Sequence, residues 1–104
     1  MGLFSAECEG CGHPLLCPAA TTAINSWMQW GVAVTEGGSV LQGVYDGYGS
    51  LGEYEGAVGF ENTAWHQACW VKAGCPTDYR GPSKGAADQG WFFEDGAHDM
   101  REPA

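Results

Sequence analysis

The sequence predicts a small α+β domain: a three-stranded antiparallel meander and one main helix. Three observations carry this reading. Two β-branched runs flank a Gly-Gly turn, the pattern of a hairpin. One stretch without a helix breaker, residues 64–73, runs from a capping pair to a glycine stop. The 17 glycines and 5 prolines in 104 residues imply many turns, short strands and little helix. A chain of this length makes one domain.

The elements follow in order. Residues 1–20 read as irregular, with Cys8, Cys11, His13, Pro14, Cys17 and Pro18 crowded together. Ile24, Trp27 and Met28 fall at i, i+3 and i+4, which favours one helical turn. Gly31–Thr35 and Val40–Tyr45 enclose Glu36-Gly37-Gly38-Ser39 and form the hairpin. A third strand is expected over Gly52–Phe60. Gly43-Val44-Tyr45-Asp46-Gly47 and Gly52-Glu53-Tyr54-Glu55-Gly56 are alike and read as similar segments of the meander.

The main helix is expected at about 63–73. Asn62 or Thr63 caps its first amides, Gly74 ends it and Pro76 follows. Pro82-Ser83 opens a short second helix through Ala86, Ala87 and Asp88. The apolar triplet Trp91-Phe92-Phe93 docks on the body and is a candidate binding surface. The domain therefore spans 1–93, and the acidic residues 94–104 form a loose tail.

Charge narrows the function classes. Four Lys+Arg face thirteen Asp+Glu, a net charge of −9. That excludes broad contact with nucleic-acid phosphates and docking on an anionic membrane. No apolar run is long enough to span a bilayer. The first seven residues lack a basic and apolar leader, so the expected compartment is the reducing cytoplasm. In that compartment cysteines are ligands more often than disulfides, and five is an odd number.

Cys8-Glu9-Gly10-Cys11-Gly12 is a C-x2-C followed by glycine. Two thiolates at this spacing reach one metal if the chain turns tightly, and the glycines permit that turn. A thioredoxin-type redox motif would need a helix to follow; Gly12-His13-Pro14 is poor helix material. Downstream, His66 and Cys69 lie at i and i+3 in Trp65-His66-Gln67-Ala68-Cys69-Trp70 and share a helical face. Together Cys8, Cys11, His66 and Cys69 make a Cys₃His set, which suits Zn2+. A rival set is Cys11, Cys17, Cys69 and Cys75, with matching five-residue gaps, and His13 is a spare donor. The rival leaves His66 without a role.

The C-x2-C-G knuckle, the hairpin and the W-H-x2-C-W segment together resemble the treble-clef zinc fingers. The H-x2-C half is similar to the first zinc site of LIM domains. The resemblance covers residues 7–12 and 62–74. It implies a zinc knuckle supplying Cys8 and Cys11, and a helix supplying His66 and Cys69. The chain departs from LIM fingers in its long gap between Cys11 and His66 and in having no second zinc module.

Four protein ligands fill a zinc tetrahedron, so the expected role is structural. The expected function is a binding or adaptor module that contacts a protein partner. The alternatives are a small metal-dependent or thiol enzyme, with Cys17 or Cys75 as nucleophile and His66 or His98 as base, and an acidic protein that occupies a basic, nucleic-acid-binding partner. The zinc-deaminase signature, with its proline-led C-x2-C downstream, is not present.

Overall fold

Valine, alanine and glycine in alternation build the central strand. In the computed structural model, which describes residues 5–58, 61–86 and 100–103, the order is β1 (Ser5–Ala6), β2 (Trp30–Val34), β3 (Val40–Val44), β4 (Thr63–His66), α1 (Gln67–Lys72) and β5 (Gly85–Ala86). Short 3-10 turns cover Pro18–Ala20 and Ser26–Gln29. The second of these is the expected helical turn before the hairpin, and it buries Trp27 and Met28.

The α+β class, the three-stranded antiparallel sheet and the one helix are as expected. β2 and β3 form the hairpin with Trp30 opposite Val44 and Val34 opposite Val40. Gly38, at φ 86°, lets the turn close, and Thr35 N–H donates to the Ser39 carbonyl at 2.9 Å.

Three details differ from the sequence reading. First, the third strand is Thr63–His66, and it pairs with β2. The sheet order is β3-β2-β4, so the hairpin's first strand is central and the connection is no meander. The expected strand at Gly52–Phe60 is absent among the residues described there: the chain makes only a single Tyr45–Leu51 bridge at the end of β3, with Gly52 N–H donating to the Val44 carbonyl at 3.0 Å, and then turns over Gly43. At Gly43 a Cβ would meet Gly52 N and Leu51 C at 2.7 Å. Glycine at position 43 is what lets the two backbones come this close, whereas a Cβ on Gly52 would lie an ordinary 3.8 Å from Gly43 Cα. Gly47, Gly49, Gly52 and Gly56 all have positive φ and turn this segment repeatedly.

Second, the helix is shorter than 63–73. Thr63, Ala64, Trp65 and His66 are all buried, and the β-branched and aromatic members suit a pleated strand. Asn62 and Thr63 do not cap the helix. Their side chains donate elsewhere, Asn62 Nδ2 to the Ala57 carbonyl and Thr63 Oγ1 to the Gly81 carbonyl. His66 itself occupies the N-cap position, without a side-chain cap bond. The C-terminal stop is as expected: Gly74 has φ 95°, and Cys75 N–H donates back to the Trp70 carbonyl. Third, Gly85–Ala86 is not helical but pairs antiparallel with Ser5–Ala6.

The core gathers around Leu15, Leu16, Met28, Val32, Tyr45, Leu51, Val58 and Trp65. Each such large side chain contributes about 1.5–3 kcal/mol when fully buried. The outer side of β4 is also covered. Ser83 Oγ accepts from Ala64 N–H at 2.7 Å, and the Arg80 guanidinium stacks 5.1 Å from the Trp65 ring. Trp91, Phe92 and Phe93 lie outside the described residues. Of the acidic tail only 100–103 is described. There Met100 packs on the core, and Trp27 Nε1–H donates to its carbonyl at 2.8 Å. No helix among the described residues is long and apolar enough to cross a membrane.

Candidate metal centre

The N-terminal knuckle is a tight reversal. Glu7 bridges Pro14, Cys8 N–H donates to the His13 carbonyl at 2.8 Å, and Gly12 N–H returns to the Cys8 carbonyl at 2.9 Å. Gly12 has φ 81°, a conformation that β-carbon-bearing residues rarely adopt. The tip then docks on the sheet through Glu9 N–H to the Ala64 carbonyl at 2.8 Å. That bond sets the knuckle beside the end of β4, where His66 stands opposite Gly31 of the central strand. Cys69 follows in the first turn of α1.

These elements bring together Cys8, Cys11, His66 and Cys69, whose ligand atoms all lie within 4.8 Å of one another. Among the described residues this is the one such cluster of three or more donors. A tetrahedral ion bound by sulfur at about 2.3 Å spaces its donors about 3.8 Å apart, so the four can hold a metal ion with small adjustments. All five cysteines are free thiols. Cys17 is packed in the core and Cys75 is exposed; neither belongs to the cluster, and nor does His13. His98 lies outside the described residues.

The donors are oriented by their neighbours. His66 is fully buried, and its Nε2 lies 2.9 Å from the Pro14 carbonyl. A carbonyl can only accept, so Nε2 carries a proton and Nδ1 is the ligand nitrogen; it lies 3.3 Å from Cys11 Sγ. Trp27 holds the ring edge-on, with centroids 4.9 Å apart. Cys8 Sγ accepts N–H groups from Gly10 at 3.2 Å and from His66 at 3.1 Å, which favours a thiolate.

The protonation pattern follows. Contacts with the Cys11 and Cys69 sulfurs, aided by His66, hold Cys8 far below an ordinary thiol against the opposing effect of burial. The same contacts with Cys11 and Cys8, together with burial, push Cys69 far up. Burial lowers the pKa of His66, but the Cys11 and Cys8 sulfurs outweigh it and raise it to about 9. A cation that binds here competes with protons for these donors.

The C-x2-C and H-x2-C spacings pointed to these four residues. The Pro14 carbonyl, the Trp27 edge and the packing of Gly10 on Cys69 were not legible, because each is a contact between segments far apart in sequence. In comparisons with protein-family models, curated proteins and solved structures, the chain has no significant match to any of them. Fold and site together define a small α+β protein with a four-donor Cys/His cluster able to bind a metal ion.

Proposed function

We propose that the chain is a structural-zinc module of treble-clef type that serves as a binding or adaptor surface for a protein partner. The observation that carries this reading is the set of three sulfurs and one imidazole nitrogen within 4.8 Å. A soft, nitrogen-containing donor set of this composition favours Zn2+ over Mg2+ or Ca2+. Four protein donors leave no open position for water, which fits a structural rather than a catalytic ion. Free thiols fit a reducing compartment such as the cytoplasm.

The partner we propose is basic. Lys72, Arg80, Lys84 and Arg101 are the four Lys and Arg of the chain against thirteen Asp and Glu, a net charge of −9. The field of that charge steers a cationic protein surface and repels phosphates.

Native mass spectrometry of protein purified without added metal tests the metal reading. The expected result is one zinc per chain, with loss of folding after a strong chelator. A chain that carries no metal and keeps its fold overturns it. Three protein ligands plus water would move the protein to the catalytic class.

A further inference from the structure

The four donors are not equally sheltered. Cys8 is 2% exposed and its sulfur is tied by two backbone N–H groups. His66 is fully buried and pinned to Pro14. Cys69 is 7% exposed and faces the backbone of Gly10, where an added Cβ would lie 2.9 Å from its own. Cys11 alone is half-buried. Beside it opens a cavity of about 280 Å³, lined by Gly10, Cys11, Trp65, Cys69, Lys72 and Pro103.

Pro103 lines this cavity from a distant part of the chain. Residues 100–103 are held at one end by Met100, through its packing on the core and its carbonyl bond from Trp27. At the other end Glu102 and Pro103 also line a second cavity of about 510 Å³ with Trp30, Val71 and Lys72. The segment therefore lies across α1 between the Trp27 turn and the Cys11 side of the centre. It contributes no donor to the metal cluster.

We infer that Cys11 is the modification site of the centre, reached by small anionic electrophiles through this cavity, and that residues 100–103 are the strap that limits their access. The inference rests on the metal reading above. The chemistry is alkylation: the Cys11 sulfur lone pair attacks the electrophilic carbon, a C–S bond forms, and the leaving group departs with its electron pair. The Lys72 ammonium on the cavity wall favours an anionic reagent. Cys8 reacts more slowly because its two N–H donors occupy sulfur lone pairs and it is only 2% exposed.

The test uses the zinc-loaded full chain and iodoacetate, with timed quenching and peptide mass spectrometry. Exposed Cys75, outside the cluster, is the internal clock. Cys11 is expected to be carboxymethylated before Cys8 and Cys69. Met100→Ser, which weakens the strap's anchor, is expected to raise the Cys11-to-Cys75 rate ratio about tenfold. Pro103→Gly, at the cavity end of the strap, gives a second measure should Met100→Ser perturb the fold. Modification of Cys8 or Cys69 first, or an unchanged ratio in both variants, overturns the inference and leaves the metal reading standing. A chain that takes up no zinc in the loading step overturns both.

Discussion

Gly10→Ala tests whether the knuckle is truly pressed against the helix. An added Cβ at Gly10 would sit 2.9 Å from Cys69 Cβ and 3.4 Å from Trp65 Cζ3. Carbon atoms in ordinary contact are about 3.5–4.0 Å apart, so the knuckle must retreat by roughly 0.6–1.1 Å. Neither obstacle is the free end of a flexible chain. One is a β-carbon on α1 and the other a buried ring. Overpacking of this kind costs about 1–3 kcal/mol. For a domain near 100 residues that is a fall in melting temperature of roughly 5–20 °C. The retreat also draws Cys8 and Cys11 away from Cys69, and disturbed support of ligands weakens metal binding by about 10–100-fold. Calorimetry of the zinc-loaded variant and competition with a chromogenic chelator read the two effects. Gly12→Ala is the control of opposite character. No atom lies within 4 Å of its would-be Cβ, but its φ of 81° is unfavourable for alanine. Its cost is therefore conformational, about 1–2 kcal/mol, and Gly12→Asn recovers part of it. A Gly10→Ala protein that melts within about 0.5 kcal/mol of the parent, a change typical of an innocuous surface substitution, and holds zinc equally well refutes the close docking of knuckle on helix.

Three further outcomes are expected. Cys69→Ser removes one sulfur from the cluster; it should lose the intense thiolate-to-metal absorption of a cobalt-substituted sample in part, bind zinc at least tenfold more weakly and melt lower. Gly43→Ala should destabilise more than Gly31→Ala in thermal melts, because a Cβ at Gly43 strikes Leu51 and Gly52 backbone at 2.7 Å while one at Gly31 meets only the movable ends of Leu15 and Leu51; equal losses count against the crossing of the two backbones. Zinc binding at neutral pH should release protons, because the cysteine donors bind as thiolates and, where the site is folded, the neighbouring sulfurs and burial push Cys69 up and, against burial, the sulfurs raise His66 to about 9. Affinity therefore falls as pH is lowered and more protons compete, and calorimetric titration in buffers of different ionisation enthalpy measures the release.

Local chemistry explains what could be read from the sequence. The hairpin was legible because valine runs and a Gly-Gly turn act within fifteen or so neighbouring residues. The four donors were legible because both pairs sit at spacings that bring two ligand atoms to one ion. The start of the helix was misread because Thr63–His66 has no helix breaker, yet it is pulled into the sheet by pairing with β2, a contact some thirty residues away. His66 illustrates the consequence. It was expected on the helix face one turn before Cys69, and it reaches the same place from the last position of a strand. Spacing survives the change because a residue at the N-cap still adjoins the first turn. The close approach of Leu51 and Gly52 over Gly43 left only a cryptic mark, Gly43 itself.

If the cluster holds zinc as proposed, the long span between the two donor pairs decides how the ion supports the fold. Residues 12–65 lie between Cys11 and His66. Closing a flexible loop of about 54 residues costs roughly 3.5 kcal/mol. The folded sheet offsets part of this, since β4 pairs with β2 and the Glu9 amide bonds to the Ala64 carbonyl. Yet a small domain has a net stability of only about 5–15 kcal/mol, and structural zinc contributes on the order of 10–16 kcal/mol at neutral pH. The ion's share is as large as the whole. Its removal should therefore release the sheet together with the knuckle, and not the knuckle alone. Hydrogen exchange before and after chelation separates the cases. Amides of β2 and β4 should lose protection in step with those of Cys8 and Gly12. If β2 and β4 stay protected while the knuckle exchanges freely, the core around Trp65 and Leu51 stands without the metal, and the centre holds down only the N-terminal loop.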